Sequence, residues 1–415
     1  MKVVIINRSD HQGGAAIASA RLMESLRLLG VDARMLVVDA AAPGDHVATV
    51  GSALGNRWHF LAERLQVMCR NGFNRETLFM IDPATCGTDL SGHPWVRQAD
   101  VIVLAWINQG MLSLRQIERL GKLGKPLVWV MHDMWCATGV CHHAGTCGKF
   151  CGTCTACPLT GKRGNDLSTA TQRRKAALYA SVPIHFVAVS NWLADRCRRS
   201  ALMAGCNISV IPNPFPASDY VWQRADAIGG RPIPKDKLVL AMGAARLDDP
   251  IKGFPTLIET MRHLRPDVAQ RVHLVLYGDI RDASLLQQLC VPTTFLGRIS
   301  HPNEVLAAAD VVLSTSHYET LPTTLVEGLA SGCLAVTTGN GGQRDIVDHR
   351  VNGYIASDAA TLADGIAWAA QERAAISRQA LHDDIAARFG YDVIASRFVK
   401  LFRQLHAHAV RTVKS

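Results

Sequence analysis

Residues 211–219 read Ile-Pro-Asn-Pro-Phe-Pro-Ala-Ser-Asp, with three prolines inside five positions. Proline fixes its own φ and keeps the preceding residue extended, so this stretch neither continues a helix nor forms a central strand. It lies near the middle of a 415-residue chain, a length typical of two domains. We interpret it as a linker near residue 215 between domains at residues 1–215 and 216–390. A last amphipathic helix within residues 391–415 is expected to pack back on the first domain.

Strand and helix patterns alternate on both sides of this linker. Apolar runs rich in β-branched residues lie at residues 3–6, 35–38, 101–105, 127–131 and 185–189 before it, and at 238–242, 272–277, 293–296, 311–315 and 334–338 after it. Such alternation predicts parallel sheet, and therefore an α/β fold of two Rossmann-like, doubly wound domains. Ligands of these domains bind at the carboxyl ends of the strands, which predicts a site in a cleft between two facing domains.

Composition and charge narrow the class of protein. The chain is 48% hydrophobic and 19% charged, so most of it is able to bury a core. Residues 1–215 hold 23 Lys and Arg against 14 Asp and Glu, whereas residues 216–415 hold 21 against 21. The first half therefore favours an anionic partner such as phospholipid head groups, a pyrophosphate-linked acceptor or nucleic acid, with an ordinary basic surface as the alternative. No apolar run has the length of a membrane span, and residues 1–10 lack a secretory signal, so a cytoplasmic location is expected.

Two strand ends carry groups suited to a diphosphate. Gly13-Gly14 stands between a strand and a helix, where backbone N–H groups and the helix dipole favour an anion. Arg246 ends a strand of the second half and Lys252 precedes the next helix. Two cations at a strand end suit a leaving nucleoside diphosphate, because negative charge develops on it as the sugar departs. The alternatives are a tight turn and two solvated surface cations.

Glu319 and Glu327 are separated by seven residues. Pro322 suits the start of a helix, so Glu319 is expected in a loop at a strand end and Glu327 inside the helix. The amides of the loop Thr320-Leu321-Pro322-Thr323 then form a cradle for phosphate or for sugar hydroxyls. Spacing alone also fits two charges on a helix surface.

Several motifs around this pair resemble one enzyme family. They are Val189-Ser190-Asn191 and Ile211-Pro212-Asn213 ahead of the second domain, and Gly341-Gly342, Asp345-Ile346-Val347 and Asn352-Gly353-Tyr354 behind the glutamates. With Arg246, Lys252 and the EX7E spacing, nearly the whole chain resembles the retaining GT-B glycosyltransferases of family four, or glycosyl transferases group 1.

The resemblance implies roles for these residues. It places Glu319 at the donor sugar, Glu327 at the nucleotide ribose, and Arg246 and Lys252 at the diphosphate of a UDP-sugar or GDP-sugar. It also implies retention at the anomeric carbon, without a catalytic metal or other cofactor. The family often has Gly-Phe-Gly in the loop that is occupied here by residues 320–323, so the identity of the donor sugar is not readable from that loop.

Polar and aromatic residues follow two strands of the first domain. The family resemblance puts His132, in His132-Asp133-Met134-Trp135, at the hydroxyls of the donor sugar and in the catalytic set. Trp135 is a candidate for stacking on a sugar, and Trp106 and Asn108 are candidates for contact with the acceptor. The alternative is a structural histidine with a tryptophan in the core.

Five of the twelve cysteines fall at residues 141–157, inside an insert at about residues 136–164. Cys141, Cys147, Cys154 and Cys157 form two close pairs, and Cys151 is surplus or replaces one of the four. Four thiolates predict a closed structural zinc site, with disulfides or unligated thiols as alternatives. The run, with its terminal Cys-Pro, resembles the exopolysaccharide and colanic acid branch of the family.

The sequence therefore predicts a hexosyltransferase of exopolysaccharide, capsule or related glycan synthesis. Its acceptor is expected to be a lipid-linked glycan or an oligosaccharide. The basic residues Lys162, Arg163, Arg173, Arg174 and Lys175 favour peripheral attachment to an anionic membrane surface. A nucleotide-sugar epimerase of the same architecture is the main alternative. A zinc-containing nucleic-acid protein is less well supported, because no aromatic and basic module is present.

Overall fold

The computed structural model describes residues 1–161, 166–228, 230–232 and 236–414. The chain divides into two units: Met1–Pro214 together with Tyr391–Ser415, and Phe215–Gly390. The basic pair Lys162 and Arg163 lies outside the described residues. Within the described part, no helix has the length and apolar character needed to cross a membrane.

The first unit is built on a seven-stranded parallel sheet with the strand order β3-β2-β1-β4-β5-β6-β7. Its strands are β1 (Lys2–Ile6), β2 (Asp32–Val37), β3 (Val47–Thr49), β4 (Val101–Leu104), β5 (Leu127–Met131), β6 (Ile184–Ala188) and β7 (Asn207–Val210). Its helices are α1 (Gly14–Leu28), α2 (Ala53–Arg70), α3 (Pro94–Gln98), α4 (Leu114–Gly121), α5 (Leu167–Ser181) and α6 (Asn191–Arg199). The central strands are buried along most of their length, as parallel strands covered by helices on both faces must be.

The second unit holds a six-stranded parallel sheet with the order β12-β11-β10-β13-β14-β15. A short antiparallel pair, β8 (Ala227–Ile228) and β9 (Arg231–Pro232), precedes it. The sheet strands are β10 (Leu238–Arg246), β11 (Val272–Asp279), β12 (Thr293–Phe295), β13 (Val311–Ser314), β14 (Leu334–Thr338) and β15 (Gly353–Ala356). The helices are α7 (Phe254–His263), α8 (Pro266–Ala269), α9 (Pro302–Ala308), α10 (Thr323–Ala330), α11 (Ala359–Glu372) and α12 (Arg378–Phe389).

The last helix, α13 (Tyr391–Lys414), belongs to the first unit although it follows the second in the chain. It packs against α1, where the Tyr391 hydroxyl donates to Glu24 at 3.0 Å. Arg397 also donates to the carbonyl of Val210 at 2.7 Å. The apolar face of α13 is also covered, since its Phe398 and Phe402 are buried.

Two parallel, Rossmann-like sheets confirm the predicted fold class. The order of strands reverses between β1 and β4 in the first sheet and between β10 and β13 in the second. Loops that leave a sheet on either side of such a reversal open a crevice at the carboxyl ends of the strands, which is where ligands of this architecture bind. The groups that follow these four strands are therefore the candidates for function in each unit.

Candidate active site

In the second unit, the loops after β10 and β13 bring two predicted residues into contact. Lys252 Nζ lies 2.5 Å from Glu319 Oε1, and the Ser316 hydroxyl donates to the same oxygen at 3.1 Å. About a third of the Lys252 side chain and a fifth of the Glu319 side chain are exposed to solvent. A cation and a carboxylate are thus held together at the point where the sheet order reverses, and both remain accessible.

Gly253 explains why these two loops lie so close. Its φ is +67°, and a Cβ at this position would lie 2.2 Å from the carbonyl oxygen of Thr315. The Thr315 hydroxyl donates to the carbonyl of Lys252 at 2.9 Å, and His317 N donates to the carbonyl of Ile251 at 2.8 Å. The two loops are therefore locked together by backbone contacts that only glycine permits.

Arg246 is the last residue of β10 and begins the loop that leads to Lys252. Its Nη2 donates to Asp249 at 3.0 Å, and its Nε lies 3.5 Å from a carboxylate oxygen of Asp248. Asp249 also accepts from Ile251 N at 3.0 Å, which fixes the turn that leads to Lys252. The guanidinium is thus oriented by two carboxylates and keeps about a third of its side chain exposed.

The loop after Glu319 leads into α10 as the sequence predicts. Pro322 stands at the N-cap, and Thr323 begins the helix. Gly342 N donates to the Glu319 carbonyl at 2.8 Å, and a Cβ on Gly341 would lie 2.1 Å from that carbonyl. The glycine pair of the second unit therefore packs on the backbone of this loop.

Glu327 is half-buried on α10, near the phenol of Tyr277. Burial, and then the charge of Glu327, raise the pKa of Tyr277 well above its ordinary value. The Tyr277 ring lies against Gly243 on β10, where a Cβ would approach it to 2.0 Å. Glu327 thus faces the same end of β10 that carries Arg246.

In the first unit, a cavity of about 450 Å³ opens at the carboxyl ends of β1, β4 and β5. Gly13 has a φ of +91°, and a Cβ on Gly13 or Gly14 would meet no atom within 4 Å. Gly13 is the N-cap of α1 and supplies no side chain to its first amides. The lining residues are Asn7, Arg8, Ser9, Gln12, Gly13, Gly14, Ala15, Ala16, Asp39, Trp106, Gln109, His132, Asp133 and His143.

Asp133 organises one wall of this cavity. Its Oδ2 accepts from Trp106 Nε1 at 3.1 Å and lies 2.7 Å from His142 Nδ1, while its Oδ1 accepts from Trp135 N at 2.8 Å. Burial acts to raise the pKa of Asp133, but the charge and hydrogen bond of His142, with the charge of His143 and the Trp135 amide, lower it to about 2. The carboxylate is therefore ionised at neutral pH and holds Trp106 in the cavity wall.

His132 lies beside this carboxylate. Burial lowers the pKa of His132 to about 4, against the opposing charge of Asp133, so the ring is neutral at pH 7. In the described part of the chain, its buried Nε2 has no hydrogen-bond partner. A neutral imidazole with an unsatisfied nitrogen at a cavity wall is suited to bind a hydroxyl.

The structure corrects two of the predicted ligand contacts. Trp135 is 1% exposed and packs in the core, where its Nε1 donates to the carbonyl of Asp82 and Lys175 Nζ lies 3.3 Å above its ring centre. Asn108 is also buried and does not line the cavity. Both follow strands, but the turns that carry them direct the side chains inward. Lys175 is buried as well, so it adds nothing to a basic surface, whereas Arg173 and Arg174 are exposed.

Sequence reasoning missed several residues of this cavity. Asn7, Arg8 and Ser9 follow β1 directly, and Asn7 Oδ1 accepts from Trp106 N at 2.7 Å. Arg8 donates to the carbonyl of Gln109 at 2.6 Å, which holds Gln109 at a φ of +57°. The signal was available, because polar residues after a first strand at a reversal of strand order point into the crevice.

The four predicted cysteines Cys141, Cys147, Cys154 and Cys157 line a single small cavity of about 30 Å³. Burial and neighbouring thiolates raise the pKa of Cys154 and Cys157. No group of three or more His, Cys, Asp or Glu in the described ranges has the arrangement of a metal site. The exposed Cys151 lies outside this cavity, with its sulfur 4.0 Å from Arg199 Nη2.

Comparisons with known proteins found one family match and several similar folds. Residues 236–372 match the model of the family described as Glycosyl transferases group 1. No curated protein sequence matches the chain. The matched region begins just before β10 and ends with α11, so it contains Arg246, Lys252, Glu319 and Glu327.

Solved structures extend the similarity to the first unit. HepE from Anabaena, in complex with UDP-glucose, is 17% identical over 97% of this chain and 100% of its own, with a TM-score of 0.61. Sucrose-phosphate synthase from Thermosynechococcus elongatus is 18% identical over 98% and 100%, with a TM-score of 0.66. WaaG, a glycosyltransferase involved in lipopolysaccharide biosynthesis, is 14% identical over 93% and 99%, with a TM-score of 0.53. The chain thus has the GT-B fold over nearly its whole length and is similar to glycosyl transferases group 1 over residues 236–372.

Proposed function

We propose that this protein is a retaining glycosyltransferase that moves a sugar from a nucleoside diphosphate sugar to a lipid-linked or oligosaccharide acceptor. The observation that carries the proposal is the contact of Lys252 with Glu319, at the strand reversal of a region that matches the group 1 family. A UDP-sugar is the first donor to test, because the crystal structure of HepE is a complex with UDP-glucose.

The reaction breaks the bond between the anomeric carbon and the diphosphate. Negative charge then develops on the diphosphate, and Lys252, Arg246 and the amides at the start of α10 neutralise it. These fixed charges take the part that a divalent cation plays in other transferases, so the chemistry needs no metal. Glu319 holds Lys252 in place before the donor binds and contacts the sugar afterwards, while Glu327 contacts the ribose.

The cavity of the first unit is proposed to receive the acceptor and the hydroxyls of the donor sugar. His132 is neutral at pH 7 and binds a hydroxyl without adding charge. No side chain is assigned as a nucleophile. The acceptor hydroxyl attacks from the face that the diphosphate leaves, and the departing phosphate takes its proton, which retains the anomeric configuration.

Incubation with radiolabelled UDP-sugars and GDP-sugars tests this function. We expect transfer to an acceptor, with loss of roughly 10² to 10³ in kcat for Lys252→Ala and Glu319→Ala. Glu259→Ala is the matched control, because Glu259 forms a surface ion pair with Arg262 in the same unit. Isomerisation of the donor without transfer would identify an epimerase instead, and normal turnover by both site variants would refute the assignment of the site.

A structural zinc ion at Cys141, Cys147, Cys154 and Cys157 stays a prediction. It is supported by the cavity that the four thiols share, since a cation there would stabilise their thiolate forms against the cost of burial. We expect one zinc per chain by elemental analysis, and its loss in Cys154→Ser. In a denatured, metal-free, unreduced sample, all twelve cysteines would titrate if these four are unligated thiols, and four fewer would titrate if they form disulfides.

The biological setting is proposed from the cysteine-rich run alone. It favours the exopolysaccharide and colanic acid branch, in which the acceptor is a growing glycan on a lipid pyrophosphate. Peripheral attachment to the cytoplasmic membrane surface would place the protein beside such an acceptor.

A further inference from the structure

Helix α2 exposes apolar side chains and buries polar ones. Leu54, Trp58, Leu61 and Leu65 are 83%, 69%, 49% and 63% exposed. Their spacing of four, three and four residues places them on one face of the helix. We call these four residues the α2 stripe.

The opposite face of α2 buries Val67 beside polar side chains that form hydrogen bonds inside the protein. Glu63 and Arg64 are 0% and 5% exposed, Thr85 N donates to Glu63 at 3.1 Å, and Arg64 donates to Asp82 at 3.0 Å. Asn56 donates to the carbonyl of Val50 at 2.7 Å. An ordinary surface helix has the reverse arrangement. The apolar stripe is therefore not explained by packing within the chain.

The segment that follows α2 extends the same kind of surface. Phe73, Phe79 and Met80 are 68%, 54% and 42% exposed. The exposed charged residues of this region, residues 53–80, are Arg57, Arg70, Arg75 and Glu76. The apolar surface is thus accompanied by three cations and one carboxylate.

We propose that the α2 stripe, with Phe73 and Phe79, docks on the interface of an anionic lipid bilayer. Apolar side chains that include a tryptophan, flanked by arginines, are typical of helices that lie in the plane of a membrane. The arginines favour negatively charged head groups. A symmetric contact with a second copy of the chain is disfavoured, because it would bring like-charged arginines of the two copies together.

The inner side of α2 connects this surface to the cavity of the first unit. Gly110 has a φ of +79°, and a Cβ there would lie 2.7 Å from the backbone of His59 and Phe60. Arg8, which lines the cavity, lies with its Cζ 5.3 Å from the centre of the Phe60 ring. A helix in the bilayer interface would therefore bring the cavity to the head groups. Docking itself does not depend on the proposed function, whereas delivery of a lipid-linked acceptor does.

Flotation of the full-length protein with vesicles tests the docking without any donor or acceptor. Vesicles of phosphatidylglycerol and phosphatidylcholine are compared with vesicles of phosphatidylcholine alone. We expect binding to the anionic vesicles that weakens with salt, and a loss of roughly tenfold or more for the triple variant Trp58→Ser, Leu61→Ser, Leu65→Ser. Because these side chains are exposed, the variant is expected to fold.

The variant Leu28→Ser is the control, since Leu28 is 74% exposed on another helix of the same unit. It is expected to bind vesicles like the wild type. Equal binding by the triple variant would overturn the proposal. A second result would also overturn it: the wild-type protein fails to bind vesicles, sedimentation shows that it is a dimer, and the triple variant is a monomer. The stripe would then be an interface between copies of the chain.

Discussion

The contact between Gly253 and Thr315 allows a quantitative test of how the two loops of the second unit position Lys252 and Glu319. In Gly253→Ala the new Cβ would start 2.2 Å from the carbonyl oxygen of Thr315, well below the 3.0 Å that Cβ atoms approach. The loops must separate by about 1 Å, a displacement that costs roughly 10²-fold in rate when catalytic groups are involved. The φ of +67° adds about 1 to 2 kcal/mol of backbone strain in any residue other than glycine.

Gly297→Ala separates these two effects. Gly297 has a φ of +66°, nearly that of Gly253, but a Cβ there would meet no atom within 4 Å. This control therefore carries the backbone strain without the displacement of the loops. It should lower the free energy of unfolding by about 1 to 2 kcal/mol and leave transfer unchanged.

The assay is kcat/KM for sugar transfer, measured with calorimetric binding of UDP and urea unfolding of each variant. We expect Gly253→Ala to lose roughly 10²-fold in kcat/KM and to bind UDP more weakly, while the control retains both. Equal activity of the two variants would refute the argument that the glycine contact positions Lys252 and Glu319. If Gly253→Ala binds UDP as well as the control does but has lost transfer, the substitution displaces Glu319 and leaves Lys252 in place.

Two buried groups make the stability of the first unit depend on pH. Burial, and then Asp82, raise the pKa of Glu63 to about 8, so its stabilising contribution is complete below pH 4.5 and is lost as the pH rises through 8. Relative to wild type, Glu63→Gln should therefore gain roughly 2 to 4 kcal/mol in its free energy of unfolding between pH 5 and pH 9. Urea unfolding measures this difference, and wild-type and variant stabilities that change in parallel over this pH range would contradict it. Burial lowers the pKa of His132 to about 4, so its contribution is present above pH 6.5 and is lost as the pH falls through 4. His132→Gln should remove up to about 3 kcal/mol of that acid sensitivity, and an unchanged difference between pH 7 and pH 4 would show that His132 is solvated.

The alternation of apolar runs was sufficient to predict the two parallel sheets. Residues 127–131 and 334–338 match β5 and β14 because strands buried on both faces are continuously apolar. The edge strands β3, β7 and β15 were missed, since they are short and only partly buried. Lys252 and Glu319 were selected from their positions at strand ends and from the family resemblance, and the reversal of strand order brings the two residues into contact. Trp135 was misassigned because sequence position after a strand does not fix the direction of a side chain.

The sequence also did not predict that the α2 stripe is exposed. Leu54, Trp58, Leu61 and Leu65 form a regular apolar face, and a regular apolar face ordinarily predicts burial against a core. Only the contacts of Glu63 and Arg64 with the interior show which face is turned inward. The pattern of residues alone does not show which face of α2 is turned inward.

The position of α13 has a consequence for how the chain is made. Helix α13 is synthesised after the whole second unit, yet it packs against α1, which is synthesised before that unit. The second unit is continuous in sequence and is free to fold as soon as it leaves the ribosome, whereas the first must wait until α13 has been synthesised. Until α13 has been synthesised, the apolar residues that it later covers on the first unit stay exposed. A premature stop after Gly390 would spare the second unit and leave the first incomplete.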